Sequence, residues 1–424
     1  MGDLNVSKLK SKKDRANYVH HLLNDIEALD LMIEKNMIEE KPLRIGAEQE
    51  FCMVNNEFLP ESKSLELLED INDEHFTTEI GNYNLELNLD TFELGGDCFS
   101  KLHEQLESYL NKAKKIAAKK DIKIVLTGIL PSLSVNNVGE DNMTDVERYS
   151  FLNDAIKQTR RKSFDIHIKG VDELNLLHDS VMLEGCNTSF QMHLQLPQKD
   201  FVDNYNWAQA IAGPILSTCT NSPILFGKEL WSETRIALFT QSIDTRVNSY
   251  LLNEIQSRVS FGNDWERGTI TDIFKNNISR FRSFLTTDFT RNSVDMVKNN
   301  EIPKLRALQL HNGTVYPWNR VCYGVMKGKP NLRIENRYIP AGPTTADEIA
   351  NMMLWVGVMM GKPKTFKNIH KLWDFKDVKK NFFNAARYGM ATQFYCNGKY
   401  ISSHKLLLDD LLPMAYKGLY SVCV

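Results

Sequence analysis

Glutamates, amides and arginines recur at every second position in four short segments of this chain, with apolar residues between them. The segments are residues 46–51, 79–86, 189–196 and 333–337. Successive side chains of a β-strand point to opposite faces, so this spacing predicts strands that each have one polar face. The sets that share a face are Glu48 and Glu50; Gln191, His193 and Gln195; and Arg333, Glu335 and Arg337.

The simplest explanation of such alternation is solvent, because an antiparallel sheet that is wet on one side shows the same pattern. The polar set here consists almost entirely of oxygen donors, with two arginines on one strand. A solvated face usually contains a mixture of polar residue types. The composition of the polar faces therefore favours convergence on a common site.

Clustered carboxylates need compensation. Two of them about 4 Å apart repel by roughly 4 kcal/mol at the effective dielectric constant of protein sites. Either some are protonated or divalent cations bridge them. Mg²⁺ prefers oxygen ligands and leaves room for a substrate phosphate, while neighbouring arginines can hold the anionic group that is transferred. The segments therefore indicate nucleotide phosphate chemistry.

These segments also resemble the glutamate-cysteine ligases, members of the glutamine-synthetase-like carboxylate-amine ligase superfamily. Residues 46–50, Gly-Ala-Glu-Gln-Glu, are similar to the Gly-x-Glu-x-Glu strand of that family. Residues 79–86 are similar to its Glu-Tyr-Gly-x-Tyr-x-x-Glu segment, and residues 333–337 to its Arg-Val-Glu-Phe-Arg strand. With residues 221–246 and 385–389, the resemblance extends over roughly residues 43 to 420.

The resemblance implies two groups of magnesium ligands, for two or three Mg²⁺ ions that Mn²⁺ could replace. The implied ligands are Glu50, Glu79 and Glu86 for one ion, and Glu48, Gln191 and Glu335 for another that also contacts the phosphates of ATP. The implied catalytic residues are Arg337 and Arg333, and the implied substrate-carboxylate ligands are Arg235 and Arg246. His193 is expected to be a neighbour in the pocket. Glu233-Thr-Arg235-Ile stands where the family has Asp-x-Arg-Trp, so the chain departs from the family pattern in the implied amino-acid pocket.

By this resemblance, the substrates are glutamate, cysteine and ATP, and the reaction joins the γ-carboxylate of glutamate to the amine of cysteine through an acyl phosphate. Three alternatives remain open: a ligase of the same fold with another amine acceptor, a non-catalytic nucleotide-binding relative, and a metal-dependent hydrolase. The hydrolase would leave Arg333 and Arg337 unexplained. Neither a Walker-type phosphate loop nor a Gly-x-Gly-x-x-Gly helix start occurs, so ATP would be held through metal ions and arginines.

The order of the predicted elements favours an α+β fold, in which a curved, mainly antiparallel sheet forms an open cradle with helices packed on its outer face. Amphipathic periodicity predicts helices at residues 14–35, 99–119, 200–219, 346–360, 378–388 and 405–419, and an apolar strand at 122–128. Glu79 and Glu86 are an odd number of positions apart, so a regular strand would separate them. For Glu79 to join Glu86, an extra residue must be absorbed between them, so an irregularity, a bulge or bend in this strand, is predicted near Gly81.

We expect residues 1–424 to form one catalytic domain, with residues 1–40 as an N-terminal helical extension, because no linker or low-complexity tract interrupts the motifs. A net charge of −3 gives no sign of a nucleic-acid partner. Seven cysteines without Cys-x-x-Cys spacing indicate reduced thiols, and no stretch suits a signal peptide or a membrane span. These features predict a cytoplasmic protein without a membrane partner, whose oligomeric state is open.

Overall fold

The chain is described by a computed structural model over residues 6–9, 11–160, 162–244, 257–396 and 398–423. The α-helices are α1 (Lys12–Glu34), α2 (Ser64–Ile71), α3 (Cys98–Ala117), α4 (Glu147–Arg160), α5 (Phe201–Thr218), α6 (Thr234–Ser242), α7 (Ile270–Arg280), α8 (Ser293–Lys298), α9 (Arg306–Asn312), α10 (Thr345–Met360), α11 (Phe375–Tyr388), α12 (Ser403–Leu406) and α13 (Leu412–Cys423). Each predicted helix is confirmed, but the last one is divided into α12 and α13 by a π-helical turn at Leu407–Leu411.

The first helix begins at a capping box. The Ser11 hydroxyl accepts a hydrogen bond from the Asp14 N–H, and the Asp14 carboxylate accepts one from the Ser11 N–H. The predicted apolar side of α1 is buried, except that Leu23 is exposed. The Tyr18 hydroxyl donates to the Ala307 carbonyl at 2.8 Å, so this N-terminal helix packs against α9.

Helix α10 is a core helix, as predicted. The Thr344 side chain accepts a hydrogen bond from the Asp347 N–H, which fixes where the helix begins, and Met352, Trp355 and Val358 are buried. Within the described ranges, every helix is too short or too polar to cross a lipid bilayer.

The strands are β1 (Ser7–Lys8), β2 (Arg44–Val54), β3 (Phe76–Thr78), β4 (Asn84–Asn88), β5 (Phe92–Glu93), β6 (Lys123–Val125), β7 (Phe164–Lys169), β8 (Glu173–His178), β9 (Phe190–Gln195), β10 (Ile224–Leu225), β11 (Lys228–Glu229), β12 (Val259–Ser260), β13 (Leu285–Thr286), β14 (Tyr316–Pro317), β15 (Asn319–Met326), β16 (Lys329–Asn336), β17 (Gln393–Cys396) and β18 (Lys399–Ser402). The central antiparallel sheet has the order β15-β16-β9-β2-β4-β3, and β5 and β6 also pair with β2. The predicted α+β fold built on an antiparallel sheet is confirmed. The strand predicted at 122–128 is shorter, at Lys123–Val125.

The register of this sheet aligns the polar side chains on one face. Glu48 lies opposite Gln191 on one side and Asn88 on the other, and Glu50 lies opposite Glu86. In the other half of the sheet, Glu335 lies opposite both His193 and Arg320. Directly opposed residues of neighbouring strands share a face, so four distant segments contribute to one polar surface.

This polar surface is buried. Gln191 is 2% exposed and Glu335 is fully buried, which excludes solvent as the reason for their alternation. The intervening residues Phe190, Met192 and Leu194 belong to the apolar core on the other face. Side chains from α4, α7 and α9 stand opposite the polar surface, so helices cover the inner face as well as the outer one. The single-domain organisation stays a prediction.

The irregularity predicted near Gly81 is present, but its nature differs from the predicted bulge or bend within one strand. Strands β3 and β4 form an antiparallel hairpin, and Gly81 lies in the connecting turn, where it bridges to Met143. Thr77 pairs with Glu86, and Glu79 is two residues beyond Thr77. By the period of two, the chain reversal brings Glu79 to the face of Glu86.

Candidate active site

Glu50, Glu79 and Glu86 form the first carboxylate cluster, in which one oxygen of each residue lies within 4.8 Å of the others. Glu50 and Glu86 come from the paired strands β2 and β4, and Glu79 comes from the turn after β3. Ser189 holds Glu50 in place, because its backbone N–H donates to the carboxylate at 2.6 Å and its hydroxyl donates at 3.0 Å. The structure thus brings together the three residues of the first implied ligand group.

The electrostatics of the first cluster fit a divalent cation. Burial raises the pKa of Glu79 well above its usual range, and the nearby Glu50 and Glu86 raise it further. Burial, together with the Glu48 and Glu50 carboxylates, raises the pKa of Glu86 to about 7. A bound cation would remove this repulsion and allow all three groups to ionise. The ligand role of these residues stays a prediction.

Glu48, His193 and Glu335 form the second carboxylate cluster, with one possible ligand atom from each residue again within 4.8 Å of the others. His193 Nε2 lies 3.1 Å from Glu48 Oε1, and Arg333 Nε donates to His193 Nδ1 at 3.2 Å. Because arginine can only donate, Nδ1 accepts, and Nε2 carries the proton that is shared with Glu48. In this arrangement, His193 is a hydrogen-bonded neighbour of Glu48.

Gln191, a predicted metal ligand, lies between the two clusters. Its side-chain N–H₂ group donates to Glu50 at 2.7 Å, and its amide oxygen accepts a hydrogen bond from Arg337. Arg337 also donates to Glu335. The amide oxygen, which is the atom that could bind a cation, therefore faces the second cluster.

Arg320 is a site residue that the sequence interpretation missed. Its guanidinium donates to both oxygens of Glu335 at 2.7 Å, and the Cys322 thiol lies 3.1 Å from one of them. Although burial acts against ionisation, Arg320 and Arg337 hold the pKa of Glu335 well below its usual range. The sequence did contain an indication of this role. Arg320 and Glu335 are placed symmetrically about a turn at Lys327 and Gly328, so a hairpin would bring them opposite each other.

Of the two arginines predicted to bind a substrate carboxylate, the structure describes only Arg235. Arg246 lies outside the described residues. Arg235 is 2% exposed in helix α6, and its guanidinium donates to the backbone carbonyl of Arg337 at 3.1 Å. Its Nε lies 3.6 Å from the buried Glu233 carboxylate. Arg235 thus lies beside Arg337 and partly offsets the rise that burial causes in the pKa of Glu50 in the first cluster, but its position gives little access to a substrate. The substrate role of Arg235 stays a prediction.

The two clusters form one wall of a cavity of about 310 Å³. Arg333 and Arg337 line it as well. The facing wall contributes Arg148 from α4 and Arg306 from α9, and Glu184 comes from the 3₁₀ helix Val181–Cys186. The sequence interpretation missed these three residues, because none of them lies on an alternating strand.

A second space of about 340 Å³ adjoins this cavity through Glu48, His193 and Arg333, which line both. Its remaining walls are mixed: they include the apolar or small residues Gly46, Leu89, Gly324, Val325 and Met326 and the polar residues Arg44, Asn88, Gln195, Gln309 and Asn331. Binding sites for cofactors are typically concave and mostly apolar, with a few fixed polar groups. Together, the two spaces combine a strongly charged end with an end of mixed polar and apolar lining.

No protein-family model matches this chain, and no curated protein sequence matches it either. Solved structures similar to it include a bifunctional glutathione synthetase from Pasteurella multocida, with 11% identity and a TM-score of 0.47 over 94% of this chain and 49% of that one. The chain thus spans about half the length of that protein. A glutamate-cysteine ligase from Francisella tularensis in complex with AMP has 12% identity and a TM-score of 0.48, over 91% of this chain and 79% of that one.

A third structure, a GmaS/ADP complex, has 9% identity and a TM-score of 0.25, over 87% of this chain and 72% of that one. The second structure bears the name of the family that the sequence motifs resemble. Because all identities and TM-scores are low, we infer function from the side chains of the site.

Proposed function

We propose that this protein is an ATP-dependent carboxylate-amine ligase that joins the γ-carboxylate of glutamate to the amine of cysteine. The observation that carries the proposal is the convergence of two carboxylate clusters with Arg333 and Arg337 on one cavity wall. The clusters suit divalent cations, and the arginines suit an anionic group in transfer. A metal-dependent hydrolase that works without ATP would not need the arginines.

The proposed reaction has two steps. A carboxylate oxygen of glutamate attacks the terminal phosphorus of ATP, and ADP leaves. The amine nitrogen of cysteine then attacks the acyl carbon, phosphate leaves with the oxygen, and the amine nitrogen releases a proton. The protein supplies positioning and charge compensation, and no side chain has to act as a nucleophile.

The residues of the site have separate roles in this proposal. Mg²⁺ ions bound by the first cluster and by Glu48, Gln191 and Glu335 would neutralise charge on the phosphates. Arg337 contacts the transferred phosphoryl group, because it lies between Gln191 and Glu335 and faces the cavity. Arg320 holds Glu335 ionised and in one orientation through its paired hydrogen bonds.

The test is ADP release by the purified protein with ATP, Mg²⁺ and glutamate, measured against a panel of amines and amino acids. Release that requires both glutamate and cysteine supports the proposal, and Arg337→Ala should lower it at least a hundredfold. Arg291→Ala is the matched control, because Arg291 forms an exposed ion pair with Glu301. Turnover with a different amine would reassign the acceptor, and nucleotide binding without turnover would favour a non-catalytic relative.

A further inference from the structure

A separate cavity of about 170 Å³ lies behind edge strand β15, and Phe274 and Asn312 line both this cavity and the one that contains the carboxylate clusters. Arg320 and Cys322 point from this strand towards Glu335, whereas Val321 lines the separate cavity. Asn319 confirms the orientation of this face, because its side chain donates to Gln209 of helix α5 at 2.7 Å. Alternation along the strand therefore places the two cavities on opposite sides of it.

The separate cavity is lined by two acidic side chains, Asp264 and Glu266, and by one basic side chain, Arg280. Asp264 is exposed and already accepts a hydrogen bond from the Trp265 N–H at 2.8 Å, which leaves Glu266 as the acidic group considered for a ligand. The backbone of Glu266 is fixed by Asn206, whose amide donates to the Glu266 carbonyl at 2.7 Å and accepts from the Glu266 N–H at 3.0 Å. The Glu266 carboxylate accepts a long hydrogen bond from Asn276, at 3.5 Å. A carboxylate has about four acceptor positions, so it can accept further hydrogen bonds from a ligand.

Aromatic rings contribute much of the apolar part of the wall, namely Tyr205, Phe261, Trp265 and Phe274, beside Ile273, Pro317 and Val321. Trp265 is held rigidly, because its indole N–H donates to the Trp373 carbonyl at 2.8 Å and its ring meets Phe375 edge-on at 5.1 Å. Cations bind favourably over such rings, and most strongly over tryptophan. A carboxylate beside aromatic rings is therefore suited to an ammonium group.

We propose that this cavity binds a small zwitterion of the α-amino-acid class, with its ammonium group at Glu266 and its carboxylate at Arg280. The volume is sufficient, since a dry cavity of about 150 Å³ accepts benzene, which has about as many heavy atoms as a small amino acid. Partial burial raises the pKa of Glu266, although Arg280 opposes this, so a cationic ligand group would further compensate for the half-buried carboxylate. The site is independent of the proposed ligation and would exist even if that proposal failed.

The local readout is the fluorescence of Trp265, titrated with L-alanine, L-cysteine, L-glutamate and L-glutamine. At least one amino acid should change the emission saturably, and Trp265→Phe should lose that change. Glu266→Gln should weaken the binding at least tenfold, whereas Glu69→Gln, a change on the exposed surface of α2, should leave it unchanged. An amine without a carboxylate and a carboxylate without an amine should each bind at least tenfold more weakly than the zwitterion.

Asn277→Leu provides a second variant that keeps both charges and alters the wall of the cavity. It should also weaken the binding, with circular dichroism unchanged. The proposal is overturned if no amino acid of the panel binds, if Glu266→Gln and Asn277→Leu both keep affinity within twofold of the wild type, or if the amine alone binds as tightly as the zwitterion. If the wild-type protein releases no ADP but still shows the saturable change in Trp265 fluorescence, the proposed ligation is refuted and the amino-acid site stands.

Discussion

Replacing Glu86 by glutamine should stabilise the metal-free protein and remove most of its stabilisation by Mg²⁺. Glu86 belongs to the first carboxylate cluster, where burial and the Glu48 and Glu50 carboxylates raise its pKa to about 7, from an ordinary value of 4.5. Between these pH values the folded protein holds more protons than the unfolded chain. Its stability therefore falls as the pH rises through this window.

The size of the effect follows from the two pKa values. At about 1.4 kcal/mol for each factor of ten, ionising Glu86 in the folded protein above pH 7 costs about 3 kcal/mol. Glutamine does not ionise, so the variant avoids this destabilisation. Its amide oxygen can still accept the hydrogen bond that Asn88 donates to Glu86 at 2.8 Å. With an unfolding entropy of about 2 cal/mol/K per residue, the Tm at pH 8 should rise by about 3 °C. At pH 5 the gain should be much smaller.

Differential scanning calorimetry at pH 5 and pH 8, with EDTA or with excess Mg²⁺, measures both parts of this prediction. Wild-type protein should gain Tm on addition of Mg²⁺, more at pH 8 than at pH 5, because the ligands must be ionised. Glu86→Gln should lose most of that gain, whereas Glu173→Gln, on the exposed hairpin β7–β8, should keep it. A lower Tm for Glu86→Gln in EDTA at pH 8, or an undiminished response to Mg²⁺, would refute the reasoning.

Three further substitutions test the arginines around the two clusters. Arg337→Ala should reduce the kcat for ADP release at least a hundredfold with little change in the KM for ATP, as steady-state kinetics would show. Arg320→Ala should lower the free energy of unfolding by about 3–5 kcal/mol in urea titrations, because Glu335 would lose one partner of a buried ion pair. Arg235→Ala should destabilise the fold by a similar amount through the buried Glu233; a selective rise in the KM for glutamate would instead show that Arg235 binds substrate.

The polar surface could be predicted because the information that creates it is local. A period of two places Glu48 with Glu50, and Glu335 with Arg337, whichever strands lie beside them. If four such strands, all with oxygen-donor side chains on their polar faces, pair in one sheet, these faces combine into a single polar surface. The apolar periodicity of α1 and α10 is local in the same sense, and these helices were predicted nearly to their ends.

The features of the site that could not be predicted from the sequence depend on the geometry of turns and on contacts between distant segments. Glu79 reaches Glu86 through a hairpin, which spacing alone did not distinguish from a bulge in a continuous strand. Arg148 and Arg306 enter the cavity from helices whose position is set by tertiary packing. Arg235 matches a sequence motif, yet packing buries it beside Glu233. The sequence motifs therefore identified candidate site residues but did not show which of them a substrate can reach.

The two carboxylate clusters differ in charge balance, and this difference suggests how the site divides its work. In the first cluster, burial raises the pKa of Glu50, and Arg235 and Arg337 offset this rise only in part. Burial and neighbouring carboxylates raise the pKa values of Glu79 and Glu86. In the second, Arg320 and Arg337 already compensate Glu335. A cation therefore has more repulsion to relieve in the first cluster, and we expect it to bind there more tightly. The arginines of the second cluster leave that end suited to a substrate that brings its own negative charge, as a nucleotide phosphate does.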